Sequence, residues 1–122
     1  MPVDRPDLCL WHNPRCSKSR AALELLTARG IAPRVVHYLD APPSSDDLHA
    51  AVAALGITPR DLLRTGEGEY TELGLDDPSL DDAAIIAAMH AHPRLIERPV
   101  LLRRDGRAVV GRPPERVLDL LD

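Results

Sequence analysis

Apolar and polar positions along this chain change period several times, and each change marks an element. Residues 8–12, LCLWH, form a nearly continuous apolar run that stops at the turn-forming pair Asn13-Pro14, which predicts a buried strand. Ala22, Leu25, Leu26 and Arg29 then follow helical spacing, with Gly30 placed as a left-handed C-terminal cap. RVVHYL, residues 34–39, returns to β-branched and aromatic types and predicts a second strand. Strand, helix and strand within such a short span imply a parallel βαβ unit.

The middle of the chain reads as helix. Ser44 with Asp47 resembles a capping box, and Leu48, Ala51, Val52 and Leu55 make an apolar stripe that ends at Gly56. Thr58 and Pro59 start another helix at once, with Arg64 at its end. After a loop around Gly66 and Gly68, Ser79 with Asp82 predicts the start of a third helix, carried by Ile85, Ile86 and Met89 and stopped by Pro93. Strand character returns in PVLLR, followed by the hairpin signal Asp105-Gly106 and by RAVVG. Pro113-Pro114 opens a last helix with Val117, Leu118 and Leu121 on one face. The order βαβ, helical block, ββα predicts an α/β protein with a mixed sheet flanked by helices.

A chain of 122 residues has the size of one domain and can bury a core without staples. With no Phe, and with Trp11, Tyr38 and Tyr70 as its aromatics, that core must be aliphatic. The net charge of −4 exerts no long-range pull on a polyanion, so neither nucleic acid nor an anionic membrane is expected as a partner. The charge is uneven. Acidic residues dominate from Asp40 to Asp82, whereas arginines gather near Cys16 and again from Arg94 to Arg116, a distribution suited to a small anion. The N-terminal residues lack the basic start and apolar run of an export signal, and no segment has the length of a membrane span. With Cys9 and Cys16 as the two cysteines, the expected compartment is the reducing cytoplasm, where a reactive thiol is the better reading than a structural disulfide.

Cys16 falls between a strand end and a helix start, where backbone amides lack partners and the helix field is positive. Arg15, Lys18 and Arg20 add positive charge, and His12 would add more if protonated, so a nucleophilic thiolate is favoured there. Cys9, between Leu8 and Leu10, reads instead as an inert buried thiol. No metal site is expected, because strand alternation sends Cys9 and His12 to opposite faces and no compact fourth ligand is evident. A tetrahedral oxyanion needs donors in fixed directions, which guanidinium groups supply. Arg64, Arg98 and Arg112 are candidates, but nearly every basic residue of this chain is arginine, and the pattern alone does not select among them.

HNPRCSKSR, from His12 to Arg20, resembles the signature of the glutaredoxin-linked arsenate reductases. HYLDAPPS, LLRTGEGEYTELGL, HPRLIERPV and GRPPERVLDLL follow in that family's order and spacing, so the likeness runs from about Leu8 to Leu121. The resemblance implies one thioredoxin-like domain over residues 1–122, with a mixed four-stranded sheet, a helical insertion at about 43–95, and a cis bond at Pro99. It also implies Cys16 as nucleophile, His12 as the residue linked to thiolate activation, and Arg64, Arg98 and Arg112 as the oxyanion clamp. The implied substrate is arsenate or a similar small oxyanion, with no bound cofactor, glutathione as reductant and a glutaredoxin as partner; the chain is expected to be a monomer. Ser19 completes Cys-x-x-Ser, so a resolving cysteine is missing at the usual place and reduction calls for an external thiol. Two other functions compete with this one. The first is a thiol oxidoreductase acting on another oxyanion or on mixed disulfides. The second is a non-catalytic RNA polymerase-binding regulator, against which Ser19 argues because such relatives usually carry Cys-x-x-Cys.

Overall fold

The computed structural model describes residues 3–121. Two compact units are formed, one from Met1–Ala41 with Arg98–Asp122, the other from Pro42–Glu97.

The first unit contains strand β1 (Val3–His12), helix α1 (Ser17–Ala28), strands β2 (Ile31–His37), β3 (Val100–Arg103) and β4 (Ala108–Val110), and a 3₁₀ segment at Pro114–Leu120. The four strands make one mixed sheet in the order β2-β1-β3-β4. β1 and β2 are parallel, while β3 runs antiparallel to both β1 and β4. Alternation builds the core: Leu10 pairs with Leu101 and Leu101 with Val109, so a row of aliphatic side chains crosses one sheet face. Ser19, Ala22 and Leu26 bury one stripe of α1, and Ala22, Leu26, Val117 and Leu120 close over that face. Gly30, at φ +76°, turns the chain from α1 into β2.

β1 is longer than the apolar run predicts. Val3–Arg5 pairs with Ile31–Pro33 and Cys9–His12 with Arg34–His37, with a register shift between. Pro6, which has no N–H to donate, sits in that interruption, and Pro33 is tolerated because β2 is an edge strand. β2 is displaced toward the N-terminus of the expected 34–39, with Tyr38 and Leu39 in the following turn. Cys9 is corrected too: it is half-buried, because alternation places Leu8 and Leu10 in the core and Cys9 on the other face.

The second unit holds α2 (Ser45–Leu55), a 3₁₀ turn at Pro59–Leu62, α3 (Gly68–Glu72), α4 (Asp82–Ala91) and a 3₁₀ turn at Pro93–Leu95. Both halves of the Ser44/Asp47 capping box form, and Thr58 with Asp61 makes a second one. α2 buries Leu48, Ala51 and Val52, and α4 buries Ile85, Ile86 and Met89. The cap of α4 is Asp81, which accepts from the amide of Ala84; Ser79, the expected start, is held in a turn by Asp77. Two other expectations change. The helix from Pro59 is one 3₁₀ turn, so Arg64 lies beyond it next to the Leu63–Ile96 bridge, and the C-terminal helix is 3₁₀ rather than α.

Candidate active site

The sheet register decides what surrounds Cys16. Trp11 pairs with Val100, and Val100 with Val110. Because those pairings are antiparallel, the start of β3 and the end of β4 lie at the same end of the sheet as the loop that follows β1. His12, Cys16, Arg98 and Arg112 therefore converge on one end of one compact unit. His37, the last residue of β2, pairs with His12 there, and their rings meet edge to face with centroids 5.9 Å apart.

The loop before α1 is tied down residue by residue. The Asn13 amide donates to Ser19 Oγ (3.0 Å), the Arg15 amide to Asn13 Oδ1 (3.0 Å), and the Cys16 amide to the Asn13 carbonyl (3.0 Å). Arg20 reaches back and donates from Nη1 to the Pro14 carbonyl (2.9 Å). Cys16 itself is the N-cap residue of α1, extended at φ −96° and ψ 124°, and its side chain makes no capping bond. Its sulfur is thus not committed to the helix end, and it is half-buried rather than enclosed. No acidic residue stands in the first turn of α1, so nothing there offsets the positive helix end or Lys18 and Arg20.

His12 closes β1 beside this loop. It is buried, and Nδ1 is 2.7 Å from Ser19 Oγ. Burial chiefly, with His37 and Arg20 nearby, pushes its pKa below the ordinary imidazole value, because the charged form is disfavoured there. Ser19, fully buried, joins His12 to the Asn13 amide, and through it the imidazole fixes the shape of the cysteine loop.

Arg98 and Arg112 are presented by adjacent chain segments that grip each other. Gly111 donates its amide to the Pro99 carbonyl (2.8 Å), and Arg112 donates from Nη1 to the Arg98 carbonyl (3.3 Å). The Arg98-Pro99 bond is cis, and so is Arg112-Pro113, an isomer that the sequence did not signal. Gly111 is a position that sequence reasoning missed. A Cβ there would stand 2.8 Å from Pro99 Cγ and 3.0 Å from Val117 Cγ1, so the two arginine-bearing segments approach this closely only because residue 111 has no side chain.

Arg64 belongs to the Pro42–Glu97 unit. Its amide donates to the Leu95 carbonyl (2.7 Å), Nη1 bonds Glu67, and Nε lies 3.9 Å from Glu97 Oε1. Among the described residues, no group of three or more His, Cys, Asp and Glu side chains is placed to hold a metal ion, and no helix is long and apolar enough to cross a membrane.

The ArsC family model matches residues 11–120. An arsenate reductase of Neisseria meningitidis is 50% identical over 113 residues, covering 92% of this chain and 96% of that protein. The uncharacterised Escherichia coli protein YfgD is 45% identical over 113 residues, covering 92% and 94%. The solved structure of an arsenate reductase from Vibrio cholerae superposes with a TM-score of 0.91 at 44% identity, covering 99% of this chain and 100% of that one. The sheet and its flanking helices are those of the thioredoxin-like fold. With a family model spanning nearly its whole length and relatives at such identity over almost complete chains, the protein belongs to the ArsC family.

Proposed function

We propose that this protein is an arsenate reductase in which Cys16 is the nucleophile and glutathione with a glutaredoxin supplies the electrons. The observation that carries this reading is the uncommitted half-buried sulfur of Cys16, set at the positive end of α1 on the side of the sheet from which Arg98 and Arg112 emerge. The named relatives support arsenate as the oxyanion. Arg98 and Arg112 would donate to its oxygens, and the family resemblance assigns the same task to Arg64.

In the first step the Cys16 thiolate attacks arsenic(V), an S–As bond forms, and one oxygen leaves as water. Glutathione then provides the second thiol. Its sulfur bonds to Cys16 as the S–As bond breaks, the electron pair of that bond stays on arsenic as arsenite, and the two thiols are left as a mixed disulfide. A glutaredoxin thiolate attacks the glutathione sulfur and returns Cys16. Ser19 cannot perform this resolution, because its hydroxyl is buried against His12 and Asn13 and carries no sulfur. His12 is the residue that the resemblance links to activation of the thiolate, and its bond to Ser19 holds the shape of the loop. The reducing cytoplasm, rich in glutathione, suits such chemistry. A chain acting alone as a monomer is part of the proposal.

Arsenite formation with glutathione and glutaredoxin tests it. The wild-type protein should turn over and Cys16→Ser should not; equal rates would remove Cys16 from the reaction, and no arsenite from either would remove arsenate.

A further inference from the structure

The arginine of the Pro42–Glu97 unit is embraced by carboxylates. Arg64 Nη1 bonds Glu67 Oε1, and Nε is 3.9 Å from Glu97 Oε1. The other oxygen of Glu67 lies 3.9 Å from Arg94 Nη2, so Glu67 stands between two guanidinium groups. The side chains of Arg64 and Glu67 are 24% and 18% exposed, which makes the pair half-buried rather than a mobile surface contact. The backbone fixes it from both ends. Arg64 is hung on the Leu95 carbonyl, the Glu67 amide donates to the Arg64 carbonyl (3.4 Å), and the Glu97 amide donates to the Leu62 carbonyl (2.8 Å). Among the described residues, Nη2 of Arg64 makes no hydrogen bond.

A guanidinium is a planar fork with five N–H donors. Holding Nη1 and crowding Nε fixes the plane and leaves the Nη2 hydrogens as the donors for an incoming group. The same carboxylate also opposes that group: a negative oxygen beside Arg64 cancels part of the charge that attracts an oxyanion. We infer that Glu67 is a positioning and specificity-determining residue for anion binding at Arg64, one that orients Arg64 by its hydrogen bond and weakens anion binding by its charge. The inference rests on the proposed role of Arg64 as an oxyanion donor.

Two substitutions separate the two effects. Glu67→Gln keeps an oxygen that accepts from Nη1 and removes the charge; Glu67→Ala removes both. Calorimetric titration of the whole protein with arsenate, without glutathione, should give a dissociation constant about threefold lower for Glu67→Gln and about fivefold higher for Glu67→Ala. Tighter binding by both variants would mean that Glu67 only competes, and weaker binding by both that it only orients; either result overturns the dual role. Wild-type affinity in both, with thermal midpoints near wild type, would overturn the inference while leaving the arsenate reading intact. Failure of the wild-type protein to bind arsenate would overturn that reading and this one with it.

Discussion

Gly111→Ala is the substitution for which the packing gives the sharpest expectation. The added carbon would lie 2.8 Å from Pro99 Cγ and 3.0 Å from Val117 Cγ1, where carbon atoms at rest stay about 3.5–4.0 Å apart. Neither neighbour yields easily. Pro99 is a ring closed onto its own backbone, whose carbonyl is already held by the Gly111 amide, and Val117 is fully buried in the core under α1. Opening the two contacts therefore means moving a chain segment, and overpacking of this kind costs about 1–3 kcal/mol. In urea unfolding the midpoint should fall by about 1 M with an unchanged slope. The segments that must move carry Arg98 and Arg112, so arsenate affinity should drop as well, even at urea concentrations where the variant is fully folded. A wild-type midpoint would refute the close approach. A lowered midpoint with unaltered arsenate affinity would refute the coupling between this packing and the two arginines.

Cys9→Ser should retain full turnover, measured as arsenite formation, because Cys9 lies on the sheet face opposite the Leu8 and Leu10 core row and within β1 rather than in the active loop; loss of activity in a folded variant would give Cys9 a part in the chemistry. His12 makes stability depend on pH. Its folded pKa is pushed below the unfolded value of about 6.5, so the unfolded chain binds the extra proton first. Stability is then fully present above about pH 6.5 and is lost as pH falls through the folded value, and His12→Gln should flatten that slope. Chemical denaturation at a series of pH values checks it, and stability that rises on acidification from pH 6.5 would contradict the sign. Asp7, bonded through both carboxylate oxygens by Arg5 at 2.9 Å, should titrate at about 2 when followed by carboxyl-carbon NMR; a midpoint near 4 would mean that the pair is not formed in solution.

What could be read from the sequence was what short-range chemistry determines. The Ser44/Asp47 box, the Asp105-Gly106 hairpin and the helix start at Cys16 each depend on residues within a few positions, and each is found where the pattern places it. What escaped depends on partners far along the chain. Val3–Arg5 holds two charged residues and precedes a proline, yet it is strand because β2 lies beside it. Cys9 looks buried among leucines and is half-exposed because the core covers the other side of its strand. Asp81 displaced Ser79 as a cap because Asp77 had already captured Ser79. Arg60 resembles any surface arginine, but it donates to the carbonyls of Leu75, Asp77 and Leu80 and closes the loop before α4.

The site shows the same division. Cys16 could be singled out from its own neighbours, whereas the choice of Arg64, Arg98 and Arg112 from so many arginines came only from the resemblance. The lowered pKa of His12 needed its burial, and the requirement for glycine at 111 needed the positions of Pro99 and Val117. None of these is a property of a local segment.

The most direct test of the account is whether arsenate drives glutathione onto Cys16. The protein is incubated with glutathione, with and without arsenate and with glutaredoxin left out, and its tryptic peptides are weighed by mass spectrometry. A glutathione adduct on the peptide containing Cys16 that forms only when arsenate is present, and disappears when glutaredoxin is added, is the predicted result. An adduct that forms equally well without arsenate, or that resides on Cys9, would contradict it.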